Sequence, residues 1–237
     1  MSENHERNNK PRIVLVHGAF ADGTGWQHVI TPLEEQGYVV TAVQNPMISL
    51  ADDIATTKRV LDAQAQKGSV IVVGHSYGGA VITGAAAGIP NVKALVYIAA
   101  FAPEPGEAVA TFLEQYPSLL GSGTLADSAG FLFVDRAKFR EIFAADVEPK
   151  EARVMAATQK PIFGGIFQQA PEAAAWKSIP CFYLLTTQDH AINPDLERLY
   201  AKRIGATTVE IASSHAVFVA HPQAVVKLIE QAANAVG

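Results

Sequence analysis

A chain of 237 residues, 49% hydrophobic and 17% charged, is long enough for one α/β domain with a substantial core. Its net charge of −5 comes without a basic stripe, which leaves no electrostatic footprint for nucleic acid, and no apolar run is long enough to cross a bilayer. The single cysteine, Cys181, cannot form an internal disulfide or a cysteine-rich zinc site; it reads as a small buried hydrophobe in a cytoplasmic protein.

Residues 1–11 are polar and lack an apolar h-region, so they read as a disordered, solvated tail. Residues 12–17 form the first predicted strand, ended by Gly18. Apolar residues Trp26, Val29, Ile30 and Leu33 recur at helical spacing, and Gly37 stops that helix. Residues 38–43 are a strand closed by Asn45-Pro46, and 50–66 a helix with Ile54, Val60 and Leu61 facing inward. The apolar run 69–73 then leads into Gly74-His75-Ser76-Tyr77-Gly78-Gly79 and a helix of small residues, followed by a strand over 92–99.

At Phe101 the alternation stops. Prolines 103, 105, 117, 149, 161 and 171 break up a region whose predicted helices are 107–115, 136–144 and 149–158. Alternation resumes with a strand at 181–186, a helix at 195–203, a strand at 207–211 and a final helix at 222–233 opened by Pro222. The expected fold class is α/β: a mostly parallel sheet of about six strands flanked by helices, built from 12–102 and 180–237. Residues 103–179 are expected to be a helical lid inserted before the last two strands, over their carboxyl ends, where open α/β sheets bind ligands.

Strand, sharp turn with serine, helix is the setting of a G-x-S-x-G nucleophile elbow, with Ser76 at its apex. A side chain at 74 or 78 would collide with neighbouring backbone, so both are glycine. A serine hydroxyl needs a base within hydrogen-bond reach and an acid that orients the base. Of the seven histidines, His5 lies in the tail, His28 on an ordinary helix, and His17 and His75 end strands beside the elbow in structural roles. His190 directly follows an acid, and His221 precedes a helix. His215, in a short polar loop after a strand, is the candidate base. Asp189, in the loop after the preceding strand, is the candidate acid; Asp195 competes, but its first-turn position suits the helix dipole. The order Ser76, Asp189, His215 matches the chain order of this architecture.

Two backbone N–H groups should face a developing oxyanion. Tyr77, directly after the serine, supplies one; the His17-Gly18-Ala19-Phe20 loop supplies the other from Ala19, with Phe20 in reserve. No metal is expected, because no histidines stand at i, i+4 and no acidic cluster has ligand spacing; nor does any segment read as a dinucleotide fingerprint.

Taken together, the His-Gly loop, the GHSYGG elbow, the Asp189 loop and His215 resemble the α/β-hydrolase superfamily over about residues 12–233. The short length and the segment Phe101-Ala102-Pro103-Glu104-Pro105-Gly106-Glu107 are similar to the small esterases that include plant methyl esterases, hydroxynitrile lyases and their bacterial relatives. In that group the S-selective lyases carry a threonine after the first-loop histidine and a lysine after the catalytic histidine, and the R-selective ones an asparagine in place of the first-loop glycine. Gly18 and Ala216 stand at those places here, a departure that favours ester hydrolysis. The resemblance therefore implies a cofactor-free serine esterase for small esters, and the aromatic residues of the lid argue for an apolar or aryl group of modest size, with Phe20, Tyr77, Phe131, Phe163 and Phe167 as the expected contacts. Expected partners are the ester and, as an option, a second copy of the chain. A lyase-like enzyme and a small-molecule receptor are the alternatives on the same fold.

Overall fold

The β-branched runs become strands, buried on both faces in the middle of the sheet and more exposed at its two edges, as a parallel sheet covered by helices requires. In the computed structural model, which describes residues 10–236, these are β1 (Arg12–Val16), β2 (Val40–Val43), β3 (Val70–His75), β4 (Val92–Ile98), β8 (Cys181–Thr186) and β9 (Thr207–Ile211), with β5 (Thr124–Ala126), β6 (Phe131–Val134) and β7 (Ile162–Phe163) lying in the insertion. They form one all-parallel sheet in the order β2-β1-β3-β4-β8-β9. Register brings the site together: Val16 pairs with Gly74, His75 with Ile98, and Thr186 with Ile211. The loops after β1, β3, β8 and β9 thus leave the sheet at one edge.

The helices of this frame are α1 (Gln27–Glu35), α2 (Leu50–Ala65), α3 (Tyr77–Ala85), α8 (Pro194–Arg203), α9 (Val217–Ala220) and α10 (Pro222–Val236). A 3-10 turn, Gly23–Trp26, precedes α1, so Trp26 closes that turn rather than opening the helix. The short α9 lies outside the predicted elements; it begins two residues after His215. Residues 1–9 of the polar tail lie outside the described residues, and Lys10 already belongs to the frame, donating to the Gln36 carbonyl at 2.8 Å. No helix among the described residues is long and apolar enough to cross a membrane.

The insertion is not all-helical. It holds α4 (Val109–Gln115), α5 (Leu119–Gly123), α6 (Phe139–Phe143) and α7 (Pro149–Ala157), but also a three-stranded antiparallel sheet of β5 (Thr124–Ala126), β6 (Phe131–Val134) and β7 (Ile162–Phe163). The Asp127 side chain accepts from the N–H groups of Ala129 and Phe131, and Gly130 takes φ +84°, closing the β5–β6 hairpin. Strands of two to four residues are too short to display a period of two, so the pattern was invisible beside the prolines.

Candidate active site

Ser76 heads α3 with φ 53° and ψ −123°, a conformation that costs a non-glycine residue strain energy and needs enforcement by its surroundings. The enforcement is main chain. A Cβ on Gly74 would lie 2.7 Å from the Gly78 carbonyl oxygen, and one on Gly78 would lie 2.5 Å from the Val16 carbonyl oxygen. The Ser76 N–H donates to the Ile98 carbonyl at 3.1 Å, and the Ser76 carbonyl accepts from the Gly79 and Phe101 N–H groups. Tyr77, next in line, opens the helix, where first-turn N–H groups have no intrahelical acceptor.

The first loop presses against the elbow. Gly18 does not occupy the left-handed region expected of a bent glycine; it is needed because a Cβ there would sit 2.8 Å from Ser76 Cβ. The bend falls two residues later, at Phe20 with φ 63°. His17 holds the loop. Its Nε2 accepts from the Asn45 N–H at 3.1 Å, which leaves Nδ1 to donate to the Gly18 carbonyl at 2.9 Å. Burial lowers the His17 pKa to about 4, so this neutral tautomer persists at neutral pH.

On the other side, the His215 Nδ1 lies 2.5 Å from Asp189 Oδ2, with both side chains buried. Asp189 Oδ1 accepts from the N–H groups of Ala191 (2.7 Å) and Ile192 (2.8 Å). Asp195, the competitor, points to solvent and pairs with Arg198 at 2.9 Å. His75 Nε2 donates to the His215 carbonyl at 3.0 Å, and the two rings stand 4.5 Å apart between centroids, so the His215 loop is tied to the elbow. Burial first, then the neighbouring His215, lowers the pKa of His75 well below the usual imidazole value.

Sequence reasoning missed several polar groups that hold these loops. Asp146 of the insertion accepts from Ser213 Oγ (2.8 Å), the Ser214 N–H (3.1 Å) and Ser214 Oγ. Burial pushes its carboxyl up, but those hydrogen bonds outweigh it and hold the pKa below the usual range. Buried Asp53 accepts from the Tyr77 hydroxyl at 2.8 Å and the Met47 N–H at 2.9 Å, and burial raises its pKa. Fully buried Glu197 accepts from the Thr186 N–H and lies beside Thr186 Oγ1. One signal could have found the last two. Asp53 falls in the inward stripe Leu50, Thr57, Leu61, and Glu197 in the stripe Leu196, Tyr200, Ala201. An acid on an apolar face needs a partner.

A cavity of about 410 Å³ opens beside the first loop, lined by Phe20, Leu113, Ser118, Leu120, Leu132 and Phe167 among others. Of the five residues expected to contact substrate, Phe20 and Phe167 line it; Tyr77, Phe131 and Phe163 do not. Tyr77 is buried, its hydroxyl turned to Asp53 and its ring T-shaped to Phe167 with centroids 6.1 Å apart. Phe131 and Phe163 pack on each other with centroids 5.7 Å apart. Alternation along β6 explains the exchange: if Leu132 faces the cavity, Phe131 faces away.

A model described as the alpha/beta hydrolase family matches residues 13–228. The chain is 28% identical to a pyrethroid hydrolase of Sphingobium wenxiniae over 94% of its own length and 88% of the relative's. It is 23% identical to methylesterase 8 of Arabidopsis thaliana, covering 80% of this chain and 76% of the other. Among solved structures, polyneuridine aldehyde esterase superposes with a TM-score of 0.81 at 18% identity, over 94% of this chain and 99% of that one, a likeness of fold.

Proposed function

The chain belongs to the alpha/beta hydrolase family as a carboxylic ester hydrolase, and on that premise we propose that it cleaves small esters bearing an apolar or aryl group through an acyl-enzyme on Ser76. Ser76 Oγ attacks the ester carbonyl while His215 Nε2 takes its proton. Asp189, on the opposite nitrogen, fixes the tautomer that leaves Nε2 free to accept and stabilises the imidazolium that forms. The N–H groups of Tyr77 and Ala19 receive the developing oxyanion. His215 then returns the proton to the leaving alcohol, and water releases the acid by the same route.

The observation that carries this reading is the backbone of Ser76, held at φ 53° at the head of α3. Such strain at one serine is stored where it serves a purpose. The apolar cavity beside Phe20 supports an aliphatic or aryl acyl or alcohol group of modest size, with residues 103–179 acting as its lid. Gly18 and Ala216, in place of the lyase residues, support hydrolysis over cyanohydrin cleavage. The single, buried Cys181 supports a cytoplasmic setting.

A fluorophosphonate probe should label wild-type protein at Ser76, and Ser76→Ala should abolish both labelling and p-nitrophenyl ester turnover, a loss on the order of 10⁶ in kcat. Unlabelled wild-type protein, or a Ser76→Ala variant with wild-type turnover, would overturn the assignment. Across a chain-length series, aryl and medium-chain esters should surpass acetates in kcat/KM.

A further inference from the structure

Beneath the Asp189–His215 pair lies a second carboxyl group. Glu197 sits on the inner face of α8, fully buried, and Thr186 at the end of β8 stands between it and Asp189. Thr186 Oγ1 is 2.9 Å from Glu197 Oε1 and 3.1 Å from Asp189 Oδ2, while the Thr186 N–H donates to Glu197 Oε2 at 3.0 Å. A hydroxyl has one hydrogen. It can donate to one of these carboxyl oxygens but must accept from the other, and an ionised carboxylate has nothing to give.

The missing hydrogen has one place to reside. Asp189 already receives three donors, the N–H groups of Ala191 and Ile192 and the His215 Nδ1, all suited to an anion. Glu197 receives the Thr186 N–H on one oxygen and faces the hydroxyl with the other. Among the described residues no cation pairs with it, and the titratable groups turned towards it are Asp189 and, from β8, Tyr183. Two ionised carboxylates sharing a buried hydroxyl would leave an uncompensated charge and an oxygen pair without a hydrogen between them.

We propose that Glu197 is protonated in the resting enzyme and donates to Thr186 Oγ1, which in turn donates to Asp189 Oδ2, making Glu197 a positioning residue for the triad acid. The inference rests on the triad reading given above. It extends that triad by a directional chain, Glu197 to Thr186 to Asp189 to His215, in which every donor has one acceptor. The arrangement holds Asp189 Oδ2 against His215 Nδ1 and keeps a single negative charge opposite the imidazolium. Burial, and after it the adjacent Asp189, pushes the Glu197 carboxyl well above the usual carboxylate range, in the same direction.

The test starts from the resting protein, so it is independent of turnover. Glu197 is the one fully buried glutamate among the described residues. Infrared spectra of protein labelled with carbon-13 on its glutamate carboxyls should show, at neutral pH, the C=O stretch of a protonated acid, and Glu197→Gln should remove it. Absence of that band overturns the proposal, whatever happens to Ser76 labelling; failure of Ser76 labelling with the band present instead overturns the triad. In kinetics, Glu197→Leu should lower kcat on the order of 10²-fold with KM nearly held, by letting Asp189 shift. Glu197→Gln, whose amide can donate to Thr186 Oγ1 and accept from its N–H, should rescue that loss and keep the acid limb of the kcat/KM profile in place. An acid limb that moves to lower pH in Glu197→Gln would mean that a negative charge had been removed, and would also overturn the proposal. If either Glu197 variant fails to fold, Thr186→Val should reproduce the kcat loss and Thr186→Ser reverse it; a Thr186→Val enzyme with wild-type kcat counts against the chain.

Discussion

Ser76 is fixed by main chain: a strand on one side, a helix on the other, and glycines at 74 and 78 because nothing larger fits between them. His215 and Asp189 are fixed by side chains: Asp146 on the serines before His215, Thr186 and Glu197 behind Asp189, and His75 on the His215 carbonyl. One side is a steric problem solved by deletion of atoms, the other an accounting problem solved by pairing every buried donor and acceptor. The two should therefore fail differently. Steric faults cost stability, whereas pairing faults on the acid–base side cost turnover.

The largest separation of the two is expected at Asp189→Asn. The amide keeps the shape and the bonds from Ala191 and Ile192, yet it favours the wrong imidazole tautomer. We expect kcat for a p-nitrophenyl ester to fall by about 10⁴ with the unfolding midpoint nearly unchanged. Comparable turnover in the variant would show that Asp189 only braces its loop. The mirror experiment is Gly78→Ala, whose Cβ meets the backbone oxygens of Val16 and His17 at 2.5 and 2.8 Å. Neither oxygen can swing aside without moving β1, so a loss of about 3 kcal/mol is expected in urea unfolding. A variant as stable as wild type would mean that the strand yields freely.

This division also explains what could be read from the chain. Steric rules are written locally: Gly-x-Ser-x-Gly between a β-branched run and small residues states its own geometry, and all six strands of the main sheet follow from the same kind of pattern. The meeting of Asp189 with His215 was legible because both stand in loops after the neighbouring strands β8 and β9. Glu197 and Asp53 were legible only as acids on apolar helix faces, without their partners, and Asp146 not at all, since it finds Ser213 and Ser214 across 67 and 68 residues. The insertion was least legible. Its fold depends on packing against the frame, and its choice of Leu132 over Phe131 for the cavity depends on a four-residue strand.

Acid exposes a pairing fault on the steric side. His17 binds a proton at its ordinary pKa of 6.5 when unfolded but only at about 4 when folded. Between those values the unfolded state holds more protons, so stability falls as pH is lowered from about 6.5 towards 4. At 1.36 kcal/mol per unit over a 2.5-unit gap, the loss approaches about 3 kcal/mol, and buried His75 adds to it in the same direction. Urea midpoints across this window should drop for wild type. They should drop less for His17→Gln, whose amide can accept from Asn45 and donate to Gly18. Equal slopes would remove His17 from the account.

The smallest effect tests the boundary between the two sides, because Tyr77 belongs to both. Its N–H is assigned to the oxyanion, yet its phenol goes to Asp53 at 2.8 Å, beside the loop after β2 that Met47 anchors. Tyr77→Phe removes one donor from a buried carboxyl that keeps the Met47 N–H on its other oxygen. The cost should be about 1–2 kcal/mol of stability. Asp53 can meet the loss by taking up a proton, since burial already raises its pKa. The backbone at 77 is set by the glycines and β1, not by the phenol, so fluorophosphonate labelling of Ser76 should keep its wild-type rate while the unfolding midpoint falls. If labelling slows in step with stability, the phenol–Asp53 bond also aims the N–H, and the main-chain account of the nucleophile side is incomplete at that residue.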